Sequence, residues 1–229
     1  MRIKICGATS PADIQLLAGL GIDFVGLWYG IPGGHAELPL DKLEQLAAQA
    51  NATEQPQPVL VTFLNEVEAL RDGVLCSGVH WVQLHGYQPP SVVRALKVAV
   101  PEEVKVVKVL HVSGHDCVER MLIRSYERAG VDIFLLDAVA EDGRVGSTGQ
   151  RLDPRIVPEL IEQMTRPCFL GGGVSAESCR DHRMLLRHPR FFGIDVDTGA
   201  RGPDGKFCVD RIAGIGRTWK AFKNGNAAP

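Results

Sequence analysis

The chain has 229 residues, 45% of them apolar, enough for one large domain or two small ones. With 25 Lys and Arg against 27 Asp and Glu and a pI of about 6.4, no charge excess points to nucleic acid or an anionic membrane as partner. No apolar run approaches the roughly 20 residues of a spanning helix, and Met1-Arg2-Ile3-Lys4 enters a strand pattern with no signal-peptide core, so a soluble, cytoplasmic protein is expected.

Ile3 and Ile5 alternate in Arg2-Ile3-Lys4-Ile5-Cys6, a buried strand closed by Gly7, with Cys6 at its carboxyl end. Pro11 to Leu20 reads as a helix with Ser10 as its N-cap. A strand over Phe24 to Tyr29 follows, then a Gly/Pro loop through Gly33, Gly34 and His35, and a helix through Leu40, Leu43, Leu46 and Ala47. Pro58 to Leu64 is the third strand and Glu66 to Cys76 its helix; Trp81 to His85 is the fourth strand and Pro90 to Val98 its helix. The second half repeats the rhythm: strand Val104 to Leu110, helix Asp116 to Arg128, strand Ile133 to Leu136 ending in Asp137. A polar Gly-rich loop spans Ala138 to Leu152, and Pro154 to Met164 is helical. Strand Pro167 to Leu170 runs into Gly171-Gly172-Gly173; helix Ser175 to Leu186, strand Phe191 to Val196 and helix Val209 to Phe222 complete the chain.

Eight strands alternating with eight helices in about 220 residues predict a (β/α)8 TIM barrel of near-minimal size. A doubly wound open sheet shares the alternation. The count of eight, the glycines ending strands seven and eight, and the lack of Gly-x-Gly-x-x-Gly after strand one favour the barrel. No Pro/Ser-rich linker divides the chain, so one domain is expected over 1–223, with 224–229 a frayed tail.

The six cysteines form no Cys-x-x-Cys pair, which argues against a disulfide framework or a structural zinc. His111 and His115 stand four apart, but Ser113-Gly114 between them reads as a loop, so no metal site is assigned.

A barrel of this class carries its site at the carboxyl ends of the strands. Those ends hold Cys6, Tyr29, Asn65, His85, Lys108, Asp137, Gly171-Gly172-Gly173 and Asp195-Val196-Asp197-Thr198-Gly199. The triple glycine and Thr198-Gly199 offer bare backbone N–H groups at helix N-termini to a phosphate. Cys6 and Asp137, from opposite sides of the mouth, offer a thiol and a carboxyl as base and acid.

Lys4-Ile5-Cys6-Gly7, Gln83-Leu84-His85-Gly86, Leu135-Leu136-Asp137, Gly146-Ser147-Thr148-Gly149, Leu170-Gly171-Gly172-Gly173-Val174 and Asp195-Val196-Asp197-Thr198-Gly199 occur in an order and spacing that resemble the phosphoribosylanthranilate isomerase family. The similarity runs from Ile3 to about Phe222. The resemblance implies an Amadori rearrangement of tryptophan biosynthesis. Asp137 would protonate the ring oxygen so that a Schiff base forms, and Cys6 would remove the C2 proton. It implies no metal and no organic cofactor, because the substrate's own amine is the electron sink. Gly172, Gly173, Thr198 and Gly199 match the family's phosphate grip, with Gly149, His85 and Asp195 also expected at the substrate. A thiolate base requires nearby positive charge or helix dipoles; Lys4, taken to sit too far into the strand, is not given that role.

Two departures stand out. Where the family carries Ser-Pro-Arg after strand two, whose arginine holds the anthranilate carboxylate, this chain has Gly33-Gly34-His35. Where the family has Ser-Ser-Gly-Val-Glu, this chain has Asp197-Thr198-Gly199-Ala200-Arg201, placing an acid beside the phosphate site. His35 and Arg201 are the candidates to replace the missing arginine. Two alternatives stay open: a related isomerase of another phosphoribosyl amine or sugar phosphate, or a phosphometabolite-binding barrel without turnover. The last has no use for both Cys6 and Asp137. The expected partner is a phosphorylated small molecule; the sequence does not set an oligomeric state.

Overall fold

Strand β1 (Arg2–Cys6) alternates its side chains between two apolar layers, and the other strands do the same. The computed structural model describes residues 1–140, 143, 145, 146 and 149–223. The strands β1, β2 (Phe24–Trp28), β3 (Gln57–Thr62), β4 (Trp81–Leu84), β5 (Lys105–Ser113), β6 (Ile133–Ala138), β7 (Cys168–Leu170) and β8 (Phe191–Val196) pair in parallel in that order. β8 returns to β1, with Lys4 opposite Asp195, and closes the (β/α)8 barrel.

Outside the barrel, Ile3, Ile5, Val25, Leu27 and Leu60 pack against the helices α1 (Pro11–Gly19), α2 (Leu40–Asn51), α3 (Val67–Ser77), α4 (Pro90–Ala99), α5 (Ile123–Ala129), α6 (Ile156–Gln163), α7 (Arg183–Leu186) and α8 (Val209–Lys223). Inside, Phe24, Val59, Val61, Val107, Val109, Leu135 and Phe169 fill the bore, with Phe24 edge-to-face on Phe169 at 6.0 Å. Each such side chain contributes about 1.5–3 kcal/mol by burial. The filled bore confines any ligand to the rim. Ser10 is the expected N-cap of α1, and with Asp13 it closes a capping box that fixes the loop behind Cys6.

Two helices expected from the sequence come out differently. β5 runs on to Ser113, and after a turn at Gly114 (φ 59°) Asp116–Cys117 pairs back on it antiparallel. A 3₁₀ turn, Arg120–Leu122, then precedes the short α5, so Asp116 to Arg128 is not one helix. The cause is Glu119, whose carboxylate is drawn into the core by the His111 backbone N–H at 2.8 Å and ring Nδ1 at 2.6 Å. Ser175 to Leu186 is likewise a 3₁₀ segment, Glu177–His182, leading into α7. There Trp219 of α8 donates to the Ser175 carbonyl at 2.8 Å and ties the loop after β7 to α8. The expected tail over 224–229 lies outside the described residues, as do Glu141, Asp142, Arg144, Ser147 and Thr148 of the Gly-rich loop. Among the described residues no helix is long and apolar enough to cross a membrane.

Candidate active site

A cavity of about 520 Å³ opens over the carboxyl ends of the strands. Cys6, His35, His85, Asp137, Gly149, Gly172, Gly173, Asp195, Thr198 and Gly199 all line it, so it gathers every residue expected at the site except Arg201.

Cys6 caps β1 and is buried. Its sulfur accepts two hydrogen bonds, from Trp28 Nε1 at 3.0 Å and Lys4 Nζ at 3.3 Å. Lys4 in turn donates to Asp195 Oδ1 at 2.8 Å. Lys4 and Cys6 are two residues apart on one strand and so share a face, and Asp195 is the residue opposite Lys4 on β8. Space for the sulfur comes from Gly26: a Cβ there would fall 2.5 Å from Cys6 Sγ. Burial pushes the Cys6 thiol up to about 12; Lys4 opposes it most, Asp195 and Asp197 add to it, and the Trp28 bond works against it. Burial alone would lower the Lys4 ammonium, but Asp195 and Cys6 together outweigh it and hold the group above its ordinary value. Burial, and then the charge of Asp137, press the Asp195 carboxyl upward against its bond to Lys4. The 2.8 Å contact is the bond by which Asp195 keeps the Lys4 ammonium charged in the core. The expectation that Lys4 sits too deep to act on Cys6 is corrected by this contact.

Asp137, near the end of β6, lies across the mouth. Its Oδ1 accepts from the Ala138 N–H at 3.0 Å and its Oδ2 lies 3.1 Å from His85 Nε2. Gln83 Nε2 lies 3.0 Å from His85 Nδ1; with the amide so oriented, neutral His85 carries its hydrogen on Nε2 and donates to Asp137. The segment bearing His85 is itself held from below. His111 Nε2 donates to the His85 carbonyl at 2.9 Å, and Lys108 Nζ donates to the Gly86 carbonyl at 2.7 Å. Lys108, read from sequence as a strand-end residue, is fully buried inside β5, and burial lowers its ammonium to about 8. His111 and His115 diverge, the first to Glu119 and the second to Asp153.

On the opposite rim Gly172 (φ 67°) and Gly173 (φ 63°) turn the backbone after β7 in a conformation side chains disfavour. Among the described residues their N–H groups meet no protein acceptor. Gly199 passes so near the Val174 carbonyl that a Cβ would overlap it, and Gly149 lies against Thr198. Thr198–Ala200 is a single 3₁₀ turn. The cup is therefore loop backbone; among the described residues the helical element at it is one 3₁₀ turn, where the sequence suggested helix N-termini.

His35 and Arg201 occupy different ground. His35 is half-exposed in the cavity, its ring edge-on to Trp28 at 4.7 Å and its Nε2 3.5 Å from Asp197 Oδ2. Arg201 lies behind the wall. Its Nε donates to Asp197 Oδ1 at 2.7 Å, its Nη1 to the Gly205 carbonyl at 2.9 Å, and its Nη2 to the carbonyls of Gly7 and Cys6 at 2.9 and 3.2 Å. It also stacks over Phe207 at 4.6 Å. Arg201 thus ties the loop after β8 to the loop after β1 and neutralises Asp197, the acid that seemed out of place by the phosphate cup. Tyr29 turns toward α3 and Asn65 is exposed; neither lines the cavity. Lys4, Trp28 and Gln83 were the functional neighbours missed. Alternation was the usable signal, because Lys4 with Cys6, and Gln83 with His85, must share faces.

Residues 3–203 match the family model of N-(5'phosphoribosyl)anthranilate (PRA) isomerase. The N-(5'-phosphoribosyl)anthranilate isomerase 2 of Methanosarcina mazei is 31% identical over 209 residues, which cover 90% of this chain and 88% of that protein. The crystal structure of phosphoribosyl anthranilate isomerase from Thermotoga maritima superposes with a TM-score of 0.74 at 25% identity, over 96% of this chain and 99% of that one. A phosphoribosyl anthranilate isomerase in complex with reduced 1-(o-carboxyphenylamino)-1-deoxyribulose 5-phosphate shares the fold, with a TM-score of 0.72 at 24% identity and the same coverage.

Proposed function

The chain belongs to the N-(5'-phosphoribosyl)anthranilate isomerase family, the isomerases of tryptophan biosynthesis, and on that premise we propose how its residues divide the reaction. The substrate is N-(5'-phosphoribosyl)anthranilate and the product 1-(2-carboxyphenylamino)-1-deoxyribulose 5-phosphate. Asp137 is the general acid: it protonates the furanose ring oxygen, the C1–O bond breaks, and the amine lone pair forms the C1=N iminium. Cys6 is the general base: it takes the C2 proton, and the C2–H pair becomes C1=C2 as the iminium electrons return to nitrogen. The resulting enolamine tautomerises to the ketone. His85, hydrogen-bonded to Asp137 at 3.1 Å, orients the acid toward the ring oxygen. The backbone at Gly172, Gly173 and Gly199 holds the 5-phosphate, and the aryl ring lies toward Trp28 and His35. The partner is thus a phosphorylated small molecule.

The observation that carries this reading is that Cys6 and Asp137 line one cavity, with the glycine backbone of Gly172, Gly173 and Gly199 on its rim. Cys6→Ala and Asp137→Asn should each lower kcat by at least about 100-fold with KM little changed, the scale of a lost base or acid. Near-native turnover by Cys6→Ala removes the base assignment. Complementation of a tryptophan auxotroph lacking the isomerase tests the substrate.

A second reading has one observation in its favour. Among the described residues lining the cavity there is no arginine or lysine, while Asp137, Asp195 and Asp197 are all present. A phosphoribosyl amine without an aryl carboxylate would suit that lining. Failure to complement, with turnover of an uncharged aryl adduct, would select it.

A further inference from the structure

Cys6 combines two properties that conflict. It is buried among carboxylates, which opposes a thiolate, yet among the described residues its sulfur is approached by two N–H donors and no acceptor. A thiol needs no such arrangement; a sulfur anion does. One donor is an ammonium held in place from the far side. Lys4 Nζ reaches Cys6 Sγ at 3.3 Å and Asp195 Oδ1 at 2.8 Å, and Gly26 leaves the space both groups occupy, since a Cβ there would stand 3.3 Å from Lys4 Nζ.

We infer that Lys4 is the positioning residue that makes Cys6 a base: its ammonium, anchored by Asp195, stabilises the thiolate that takes up the C2 proton. The inference rests on the assignment of Cys6 as base. The Cys6 thiol loses its proton to solvent at the cavity mouth, and the thiolate then takes the C2 proton of the iminium while the C2–H pair moves into C1=C2 and the C1=N pair returns to nitrogen. Lys4 keeps its three hydrogens throughout. Asp195 has two opposed effects: it holds the ammonium against the sulfur, and its charge disfavours the thiolate. The other charges around the sulfur are Asp197 beyond β8, paired with Arg201 and His35, and Asp137 with His85, which act on Asp195. Arg201 meets Cys6 at its carbonyl oxygen, away from the sulfur. Lys4 is therefore the cation in direct contact with the sulfur.

A buried Lys–Asp pair could equally be a structural brace. The rate at which iodoacetamide alkylates Cys6 at fixed pH separates the two roles, since it reports the thiolate fraction without turnover. It is read by mass spectrometry on the Cys6 peptide, with Cys6→Ser as the blank for the other thiols. Lys4→Met should slow alkylation at least about tenfold, one pH unit's worth of thiolate, and lower kcat in step with KM unchanged. Lys4→Arg should recover part of both. Because Lys4→Met leaves Asp195 unpaired, the double variant Lys4→Met/Asp195→Asn is the second arm: it removes the stranded carboxylate together with the ammonium, and its alkylation should still be slower than wild type. Unchanged alkylation in Lys4→Met, or a wild-type rate in the double variant, overturns the inference while leaving the base assignment intact. Native turnover by Cys6→Ser would instead overturn the assignment.

Discussion

Replacing Gly26 by alanine adds one methyl group against the sulfur of Cys6, the proposed base. Its Cβ would sit 2.5 Å from Cys6 Sγ, 3.1 Å from Cys6 Cα and 3.3 Å from Lys4 Nζ. Ordinary carbon contacts are about 3.5–4.0 Å, so the sulfur must retreat by roughly 1–1.5 Å. Both N–H bonds to the sulfur would then be broken or badly bent. Overpacking of this kind costs about 1–3 kcal/mol. At about 2–4 °C per kcal/mol for a chain of this size, Tm should fall by about 2–12 °C, leaving the barrel folded. Turnover should suffer more, since misplacing a reacting group by about 1 Å costs on the order of 100-fold. The assay is steady-state kinetics beside a thermal melt, with Gly19→Ala as control. Gly19 ends α1, and nothing lies within 4 Å of a Cβ placed there, so that variant should keep activity. If Gly26→Ala keeps near-wild-type kcat with the expected loss of Tm, the position of the Cys6 sulfur does not govern the reaction.

His35→Arg should raise kcat/KM for the anthranilate adduct by about 10- to 150-fold, the equivalent of a bidentate carboxylate contact, and leave an aniline adduct unaffected; gain with neither means that the carboxylate is held elsewhere. Arg201→Ala should destabilise the fold by about 3 kcal/mol or more, because it leaves the Asp197 carboxylate without its guanidinium, and should raise KM through the loosened loop; Arg201→Lys, lacking the planar fork, should rescue little in melts. Millimolar phosphate should inhibit competitively and raise Tm, by about 2.7 kcal/mol of stability at 100 times its Kd. Gly172→Ala, strained at φ 67° and with a Cβ 2.9 Å from Leu152 Cγ, should abolish that gain. Burial presses the Glu119 carboxyl upward, but its bonds to His111 and the charge of Lys108 outweigh this and depress it. A depressed carboxyl contributes stability above its unfolded pKa and loses it as pH falls through the folded one. Urea titrations should therefore show Glu119→Gln less stable at neutral pH, with a shallower loss on acidification than the wild type.

The residues expected at the site converge for reasons visible in the chain itself. A parallel strand covered on both faces must read as a continuous apolar run, so Ile3-Lys4-Ile5 and Ile133 to Leu136 were recognisable, and strand ends carry the chemistry in a barrel. Cys6, His85, Asp137 and the Gly171-Gly172-Gly173 turn followed from that rule. Local capping was legible too: Ser10 with Asp13 closes a box three residues wide, and no tertiary contact is needed to form it. The short helices after β5 and β7 were not legible, because their sequences are helix-compatible and distant partners decide otherwise. Glu119 is pulled inward by His111, and Ser175 is held by Trp219 from α8.

Sequence alone therefore determined the alternation of elements, which residues end the strands, and the chemical types available there, since all three depend on neighbours a few positions away. Tertiary structure decided what those residues are for. Lys4 meets Asp195 only because β8 closes on β1, 191 positions away in the chain. Gly26 is confined to glycine only because β2 brings it opposite Cys6. Arg201 joins the Cys6 and Gly7 carbonyls rather than the cavity because barrel closure brings the first and last loops together. An ionisable group's state is set by burial and by the charge beside it, and in a barrel those neighbours come from strands far apart in sequence.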